Sequence, residues 1–135
     1  MAIDFGTRRI GIALSDSGSL ATPHSMLRNE GDIISKLAAI ASELSADTIV
    51  VGIPRRAHHH PGEDKFVRLA DALRQQTCRE VVLWDEALST AEASSQLRDR
   101  GVKRRDAERE IDMHAAAVIL QSYLDDRQRS AGRTS

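Results

Sequence analysis

Two short apolar runs separated by a helix-length segment constrain the fold of this chain more than any other feature. The first run, residues 48–53, reads TIVVGI and is stopped by Pro54, and the second, residues 81–84, reads VVLW. Both are rich in β-branched residues, as is typical of strands buried on both faces of a sheet. Between them, apolar residues recur at helical spacing from Phe66 to about Gln76. This order of strand, helix and strand predicts parallel strands joined by a crossover.

The N-terminal part of the chain predicts a hairpin. Residues 1–6 and 9–15 have the composition of two short strands around a glycine-containing turn. A third strand over residues 19–27 contains Pro23, which would confine it to the edge of a sheet.

Helical patterns cover three further segments. Apolar residues recur at helical spacing over 32–44 and over 111–123. Residues 89–100 open with a capping box, Ser89 with Glu92, and stop at Gly101. Together these elements predict an α/β fold, a mixed five-stranded sheet with helices packed on it.

Length and composition predict one globular domain. The chain has 135 residues, 41% hydrophobic and 29% charged, and we expect a single domain over 1–126 followed by a frayed polar tail over 127–135. No apolar run is long enough for a membrane span, and the N-terminus does not resemble a secretory signal, so we expect a cytoplasmic protein. Cys78 is the only cysteine, which excludes an internal disulfide and a zinc site built on several thiolates.

The net charge of -1 does not mark the chain as a nucleic-acid binder, so the local distribution of charge has to be considered. Basic residues cluster at Arg8 and Arg9, at Arg55 and Arg56, and near residues 103–105. Most such clusters are solvated surface. If several of these loops meet at one cleft, they can contact phosphates.

Three acids stand at positions suited to metal binding, each with a plainer alternative. Asp4 alternates with Ile3 and Phe5 on the first strand, and its side of the hairpin could simply face solvent. Glu86 follows the strand VVLW, at the end where open α/β sheets place their ligands, and could instead cap the next helix.

Asp112 begins a stripe on one face of the last helix that continues through small and apolar residues to Tyr123. A buried carboxylate there needs a cap, a partner or a metal ion, and an N-cap is the alternative. The alanines of the stripe let the helix lie close to a sheet. Carboxylates converging from separate elements suit Mg²⁺ or Mn²⁺, and two such ions suit phosphodiester hydrolysis.

Four motifs in order resemble one family. They are residues 4–13, residues 49–54, the pair Asp85 and Glu86 with 88–90, and Asp112 with the alanines and the run up to residue 124. In content, order and spacing they resemble the YqgF (RuvX) family, relatives of RuvC resolvases described as Holliday junction resolvases or as nucleases that mature the small-subunit ribosomal RNA precursor.

The resemblance implies an RNase H-like fold, an acidic site for Mg²⁺ or Mn²⁺, and catalytic and metal-binding roles for Asp4, Glu86 and Asp112. The expected partner is structured RNA or branched DNA, contacted by Arg8, Arg9, Arg55 and Arg56, with a homodimer left open. Two departures from the family lie near the expected site. Ala87 replaces the usual arginine, and the loop after Pro54 carries arginines and the histidines His58, His59 and His60.

Two alternatives to a nuclease are considered. Ala87 and the altered loop also suit a module of the same fold that binds nucleic acid without cutting it. An actin-like ATPase or sugar kinase is suggested by residues 4–7, although those enzymes need a duplicated pair of domains. The histidine run is interpreted as an exposed loop that could bind a transition metal or phosphate weakly, and Trp84 as a core residue rather than a base-stacking platform.

Overall fold

A computed structural model describes residues 1–53, 62–85 and 107–133, with side chains for 1–53, 65–85 and 114–130. The elements are β1 (Ala2–Phe5), β2 (Arg9–Leu14), β3 (Thr22–Arg28), α1 (Ile33–Glu43), β4 (Thr48–Ile53), α2 (Gly62–Thr77), β5 (Glu80–Asp85) and α3 (Ala107–Arg133). The predicted helix over 89–100 lies outside the described residues.

The five strands form one mixed sheet in the order β3-β2-β1-β4-β5. The β1–β2 and β2–β3 pairs are antiparallel, whereas β1–β4 and β4–β5 are parallel. The prediction of an α/β fold with a mixed five-stranded sheet is confirmed, as is the N-terminal hairpin. Pro23 lies in β3, which is an edge strand as predicted.

Side-chain alternation on the strands separates two apolar cores. On one face, Ile3, Ile10 and Val51 pack in a cluster with residues of α1 and α2. On the other, Ala2, Ala13 and Val50 pack beneath α3. Ala116 and Ala117 of α3 are fully buried, so this helix lies close to the sheet, as the small residues predicted.

Asp32 caps α1. Its carboxylate accepts a hydrogen bond from the Ser35 backbone N–H at 3.1 Å and another from the Ser35 hydroxyl at 2.7 Å. These bonds lower the pKa of the Asp32 carboxyl from its ordinary value. The helix therefore begins at Ile33, one residue after the start of the predicted range 32–44.

The expectation of a frayed tail is wrong for residues 127–133, because α3 continues to Arg133. Arg127 packs back onto the preceding turn, with its guanidinium 5.8 Å from the centroid of the Tyr123 ring and its Nη1 donating to the Tyr123 hydroxyl at 3.3 Å. Arginine and glutamine also favour helices, so the helix can continue without an apolar face.

Gln121 anchors α3 to the loop before β3. This side chain is buried, and its Oε1 accepts from the Ala21 N–H at 3.0 Å while its Nε2 donates to the Ser19 carbonyl at 3.0 Å. Nε2 also donates to the Asp125 carboxylate at 2.9 Å. Both ends of the amide are therefore satisfied, as burial requires.

Candidate functional site

The carboxyl ends of β1, β4 and β5 lie at one edge of the sheet, because these strands are parallel. β1 ends at Phe5, β4 at Ile53 and β5 at Asp85, which pairs with Ile53. This end of the sheet, called the carboxyl edge below, is where open α/β sheets bind their ligands.

Asp4 lies near the carboxyl edge, on the sheet face that α3 covers. It follows Ala2 by two residues, and Ala2 belongs to the core beneath α3. Its side chain is half-buried, and Asp4 takes part in an interaction within the protein. The alternative that this side of the hairpin simply faces solvent is therefore wrong.

Glycines flank Asp4 on both neighbouring strands. Asp4 pairs with Gly11 of β2 and with Gly52 of β4, and cross-strand partners share a face of the sheet. Neither neighbour has a side chain beside the carboxylate. A Cβ at Gly52 would lie 2.5 Å from the Ile119 Cδ1 of α3, so glycine is what lets the helix approach here.

Asp112 belongs to α3, but it does not begin it. The helix starts at Ala107, five residues earlier, so the alternative that Asp112 is an N-cap is wrong. Position 112 comes seven residues before Ile119, which is about two helical turns and roughly 10 Å along the axis. The side chain of Asp112 lies outside the described residues.

The contacts of the C-terminal half of α3 show in which direction the helix crosses the sheet. Tyr123, Leu124 and Arg127 line a cavity of about 250 Å³ together with Met1 and Thr48, which lie where β1 and β4 begin. The Met1 ammonium is buried there and donates to the Thr48 carbonyl at 3.0 Å, and burial lowers the pKa of the ammonium. The helix therefore runs from the carboxyl edge toward the opposite end of the sheet.

The turn between β1 and β2 lies at the carboxyl edge and is held by Asn29. The Gly6 N–H donates to the Arg9 carbonyl at 2.8 Å, and a Cβ on Gly6 would lie 2.6 Å from that oxygen. The Asn29 Nδ2 donates to the Gly6 carbonyl at 3.0 Å, and the Asn29 backbone N–H to the Arg8 carbonyl at 2.8 Å. Both predicted arginines of this turn are therefore at the same end of the sheet as Asp4. Arg8 is exposed and Arg9 is half-buried.

Sequence reasoning missed Arg28, the last residue of β3. It is exposed and pairs with Arg9 across β2 and β3. No local pattern around residue 28 marks it, because the pairing depends on the register of two strands. The clusters at Arg8 and Arg9 and at Arg55 and Arg56 signalled positive charge near strand ends in the sequence, but neither includes Arg28.

The remaining predicted site residues lie outside the described part of the chain. These are Glu86, Arg55, Arg56, Ala87 and the three histidines 58–60. Residue 86 directly follows β5, and residues 54–56 directly follow β4. Among the side chains that the structure describes, no group of three or more His, Cys, Asp and Glu could hold a metal ion.

Trp84 is partly buried and packs against the core beneath α3, which agrees with the prediction of a packing role. Its ring meets the Tyr123 ring edge-on with centroids 5.4 Å apart, and its Nε1 donates to the Ser122 hydroxyl at 3.2 Å. Trp84 pairs with Gly52, which in turn pairs with Asp4. Trp84 therefore lies on the same face of the sheet as Asp4, two strands away.

The mixed sheet, the helix across one face and an aspartate at the carboxyl edge define an α/β protein consistent with the RNase H-like fold. The chain belongs to the RuvX family, since the family profile described as Holliday junction resolvase matches residues 1–126. The family resemblance of the sequence motifs is thus confirmed.

Relatives from two bacterial genera match nearly the whole chain. A protein of Mycobacterium tuberculosis (strain ATCC 25618 / H37Rv) is 41% identical over 133 residues, covering 94% of this chain and 78% of its own length. A protein of Geobacillus kaustophilus (strain HTA426) is 38% identical over 135 residues, covering 95% of this chain and 98% of its own length. Each is named as a proposed pre-16S rRNA nuclease.

A solved structure, a ROK hexokinase from Thermus thermophilus, has a TM-score of 0.45 and 23% identity to this chain. The match covers 70% of this chain but only 37% of the hexokinase. A similarity this low carries no argument about function. No helix in the described part of the chain is both long and apolar enough to span a membrane.

Proposed function

We propose that this protein is a metal-dependent nuclease that hydrolyses phosphodiester bonds in structured nucleic acid, either a ribosomal RNA precursor or branched DNA. The observation that carries the proposal is the position of Asp4. It is half-buried at the carboxyl edge, on the face beneath α3, between two glycines. Membership of a family described as Holliday junction resolvases, and relatives named for pre-16S rRNA nuclease activity, support the same function.

Asp4, Glu86 and Asp112 are the proposed catalytic and metal-binding residues. Glu86 directly follows Asp85, the residue at which β5 ends at the carboxyl edge. Asp112 precedes Ile119 by about two turns, toward the carboxyl edge. Asp4 and Asp112 lie on separate elements, β1 and α3, and Glu86 follows a third in the sequence.

A half-buried aspartate whose cross-strand partners are both glycines fits a hard divalent cation, because Mg²⁺ and Mn²⁺ prefer carboxylate oxygens. Such ions supply Lewis-acid stabilisation of the charge that develops on a phosphodiester. Asp4, Glu86 and Asp112 would hold the ions through their carboxylates. Arg8, Arg9, Arg55 and Arg56 are proposed to contact phosphates, which positions a strand without reading its sequence.

The test compares wild type, Asp4→Asn and the control Asp126→Asn on a four-way DNA junction and on a precursor 16S rRNA fragment, with Mg²⁺, with Mn²⁺ and without metal. Asp126 is an exposed acid on α3, beyond Tyr123 and Leu124 and so away from the carboxyl edge. Asp4→Asn should reduce cleavage by more than about 100-fold, which exceeds the usual loss for an outer partner of a metal ligand. The control should cleave like wild type.

Thermal melting provides a second readout that does not need turnover. A ligand at 100 times its Kd stabilises the folded state by about 2.7 kcal/mol. Wild type and Asp126→Asn should therefore melt higher in Mn²⁺, and Asp4→Asn should lose most of that gain.

Ala87 and the altered loop after β4 favour a second candidate, a binding module without activity. Binding of either substrate with neither cleavage nor metal-dependent stabilisation would establish the module instead.

A further inference from the structure

Arg28 is not among the residues proposed above for the nuclease site, although the register of the sheet brings it to the carboxyl edge. β3 runs antiparallel to β2, so its last residue lies beside the first residue of β2, Arg9. Arg28 is exposed, and β3 is an edge strand. A strand of nucleic acid can therefore approach it from outside the sheet.

Arg9 and Arg28 share the sheet face of Asp4. Ile10 and Leu27, which are cross-strand partners, belong to the core on the side of α1 and α2. The residues one step away on each strand, Arg9 and Arg28, therefore face the opposite side, where Asp4 lies. Phe5 pairs with Ile10, so the Arg9–Arg28 pair lies just beyond Asp4 in the direction of the carboxyl edge.

The distance from Asp4 to Arg28 would let a single strand of nucleic acid contact both residues. Arg9 is two residues from Gly11, the partner of Asp4, and Arg28 lies on the next strand out. Two residues along a strand and two strand spacings across the sheet give roughly 12 Å between the α-carbons of Asp4 and Arg28. The long arginine side chain shortens the distance between the functional groups.

The charges of the pair favour an anion. Arg9 and Arg28 place two positive charges on directly opposed residues of antiparallel strands, and Arg9 also takes part in an interaction within the protein. The planar fork of arginine matches the geometry of phosphate oxygens. Asn29 joins the end of β3 to the β1–β2 turn through its bonds to Gly6 and Arg8, so the residues of both loops move together.

We propose that Arg28 and Arg9 form a phosphate-binding position that holds the nucleic-acid backbone over the β3 edge, beside the Asp4 site. This inference rests on the proposed nuclease function and assigns the side of the site from which the strand enters. The interaction is with phosphates, so it is independent of base sequence.

The experiment measures binding of the four-way junction and of the precursor rRNA fragment with Ca²⁺ in place of the catalytic metal, at salt concentrations from about 50 to 200 mM. The variants are Arg28→Gln, Arg9→Gln, the double variant and the control Arg129→Gln. Arg129 is exposed on α3, toward the opposite end of the sheet. Each glutamine keeps length and polarity while removing the charge.

Each phosphate that an arginine neutralises contributes about 0.7 to 0.9 to the slope of log Kd against log salt. Arg28→Gln should lower that slope by about this amount, and the double variant by about twice as much. Over the fourfold range of salt, each arginine replaced should therefore make the change in Kd smaller by up to about 3.5-fold. The effect should be the same for junctions of different sequence.

An Arg28→Gln slope equal to that of Arg129→Gln would overturn the inference. The outcome for the nuclease is separate. If wild type cleaves and Asp4→Asn does not, the nuclease stands whatever Arg28→Gln does. If wild type does not cleave but the slope still falls in Arg28→Gln, the phosphate position stands on a binding module.

Discussion

Gly52→Ala tests whether close packing of α3 on the sheet sets the geometry of the site. An added Cβ would lie 2.5 Å from the Ile119 Cδ1, 3.4 Å from its Cγ1 and 3.5 Å from its Cγ2. Carbon atoms pack best at about 3.5 to 4.0 Å. Only the Cδ1 approach is severe, so the terminal methyl of Ile119 must move by about 1 Å or the helix must lift.

The expected cost comes from overpacking. The side chain of Ile119 is buried between α3 and the sheet. Forcing an extra methyl into a packed core costs about 1–3 kcal/mol. Replacing glycine by alanine recovers about 0.4–1 kcal/mol by restricting the unfolded chain. We expect Gly52→Ala to lower the free energy of unfolding by about 1–2 kcal/mol, measured by urea denaturation. The protein should stay folded.

Cleavage should fall much more than stability. Gly52 is beside Asp4 in the sheet, and Ile119 is on the helix that carries Asp112. Lifting α3 at this point widens the gap between the two proposed metal ligands. A displacement of about 1 Å at a reacting centre can cost about 100-fold in rate, and we expect a loss of that order.

Ile119→Val should rescue both properties, because valine lacks Cδ1 and keeps both Cγ atoms. Alone, this change costs about 0.5–1.5 kcal/mol, and with Gly52→Ala it should give a favourable coupling of about 1 kcal/mol or more. Ile12→Val is the matched control, since it removes the same group from the opposite face of the sheet. Equal rescue by the control, or normal cleavage in Gly52→Ala alone, would refute this reasoning.

Three further changes test the supports of the fold. Gln121→Leu leaves the buried Ala21 N–H without its acceptor and should cost about 2–4 kcal/mol in urea denaturation, whereas a loss below about 1 kcal/mol would contradict the anchoring role. Asn29→Ala removes the bond to the β1–β2 turn, so stability should fall by about 1 kcal/mol and nucleic-acid binding should weaken in a titration. The Ser35 bonds lower the pKa of Asp32, so its contribution is complete above the ordinary value of 3.8 and is lost as pH falls through the lower folded value. In Asp32→Asn, melting temperature should fall less steeply over that acid range, and an unchanged slope would exclude the effect.

The sequence predicts the elements whose signal is local. Strand alternation identifies the face of Asp4, and β-branched runs locate β4 within its observed bounds. The start of α2 at Gly62 is missed, because residues 62–65 carry no apolar side chain for periodicity to detect. The end of α3 is missed for the same reason, since the polar residues after Leu124 continue the helix by propensity alone.

Features of the site that depend on register could not be predicted. Asp4 lies between Gly11 and Gly52, and neither neighbour is adjacent to it in sequence. The pairing of Arg28 with Arg9 depends on a register shift between Ile12 and Ala13, which no local pattern indicates. Periodicity over 111–123 also left open whether Asp112 caps its helix, because a helix start in polar sequence leaves little trace.

The bond between Gln121 and Ala21 joins residues 100 positions apart, and α3 covers strands from the beginning of the chain. Interactions of this sequence separation slow folding, and on the ribosome they cannot form until the last helix has been made. The apolar face of the nascent hairpin, with Ala2, Ala13 and Ala21, stays uncovered until then. Asp4 is on the first strand and Asp112 on this last helix, so on the proposal that they share a metal site, an incomplete chain still attached to the ribosome would carry no assembled site.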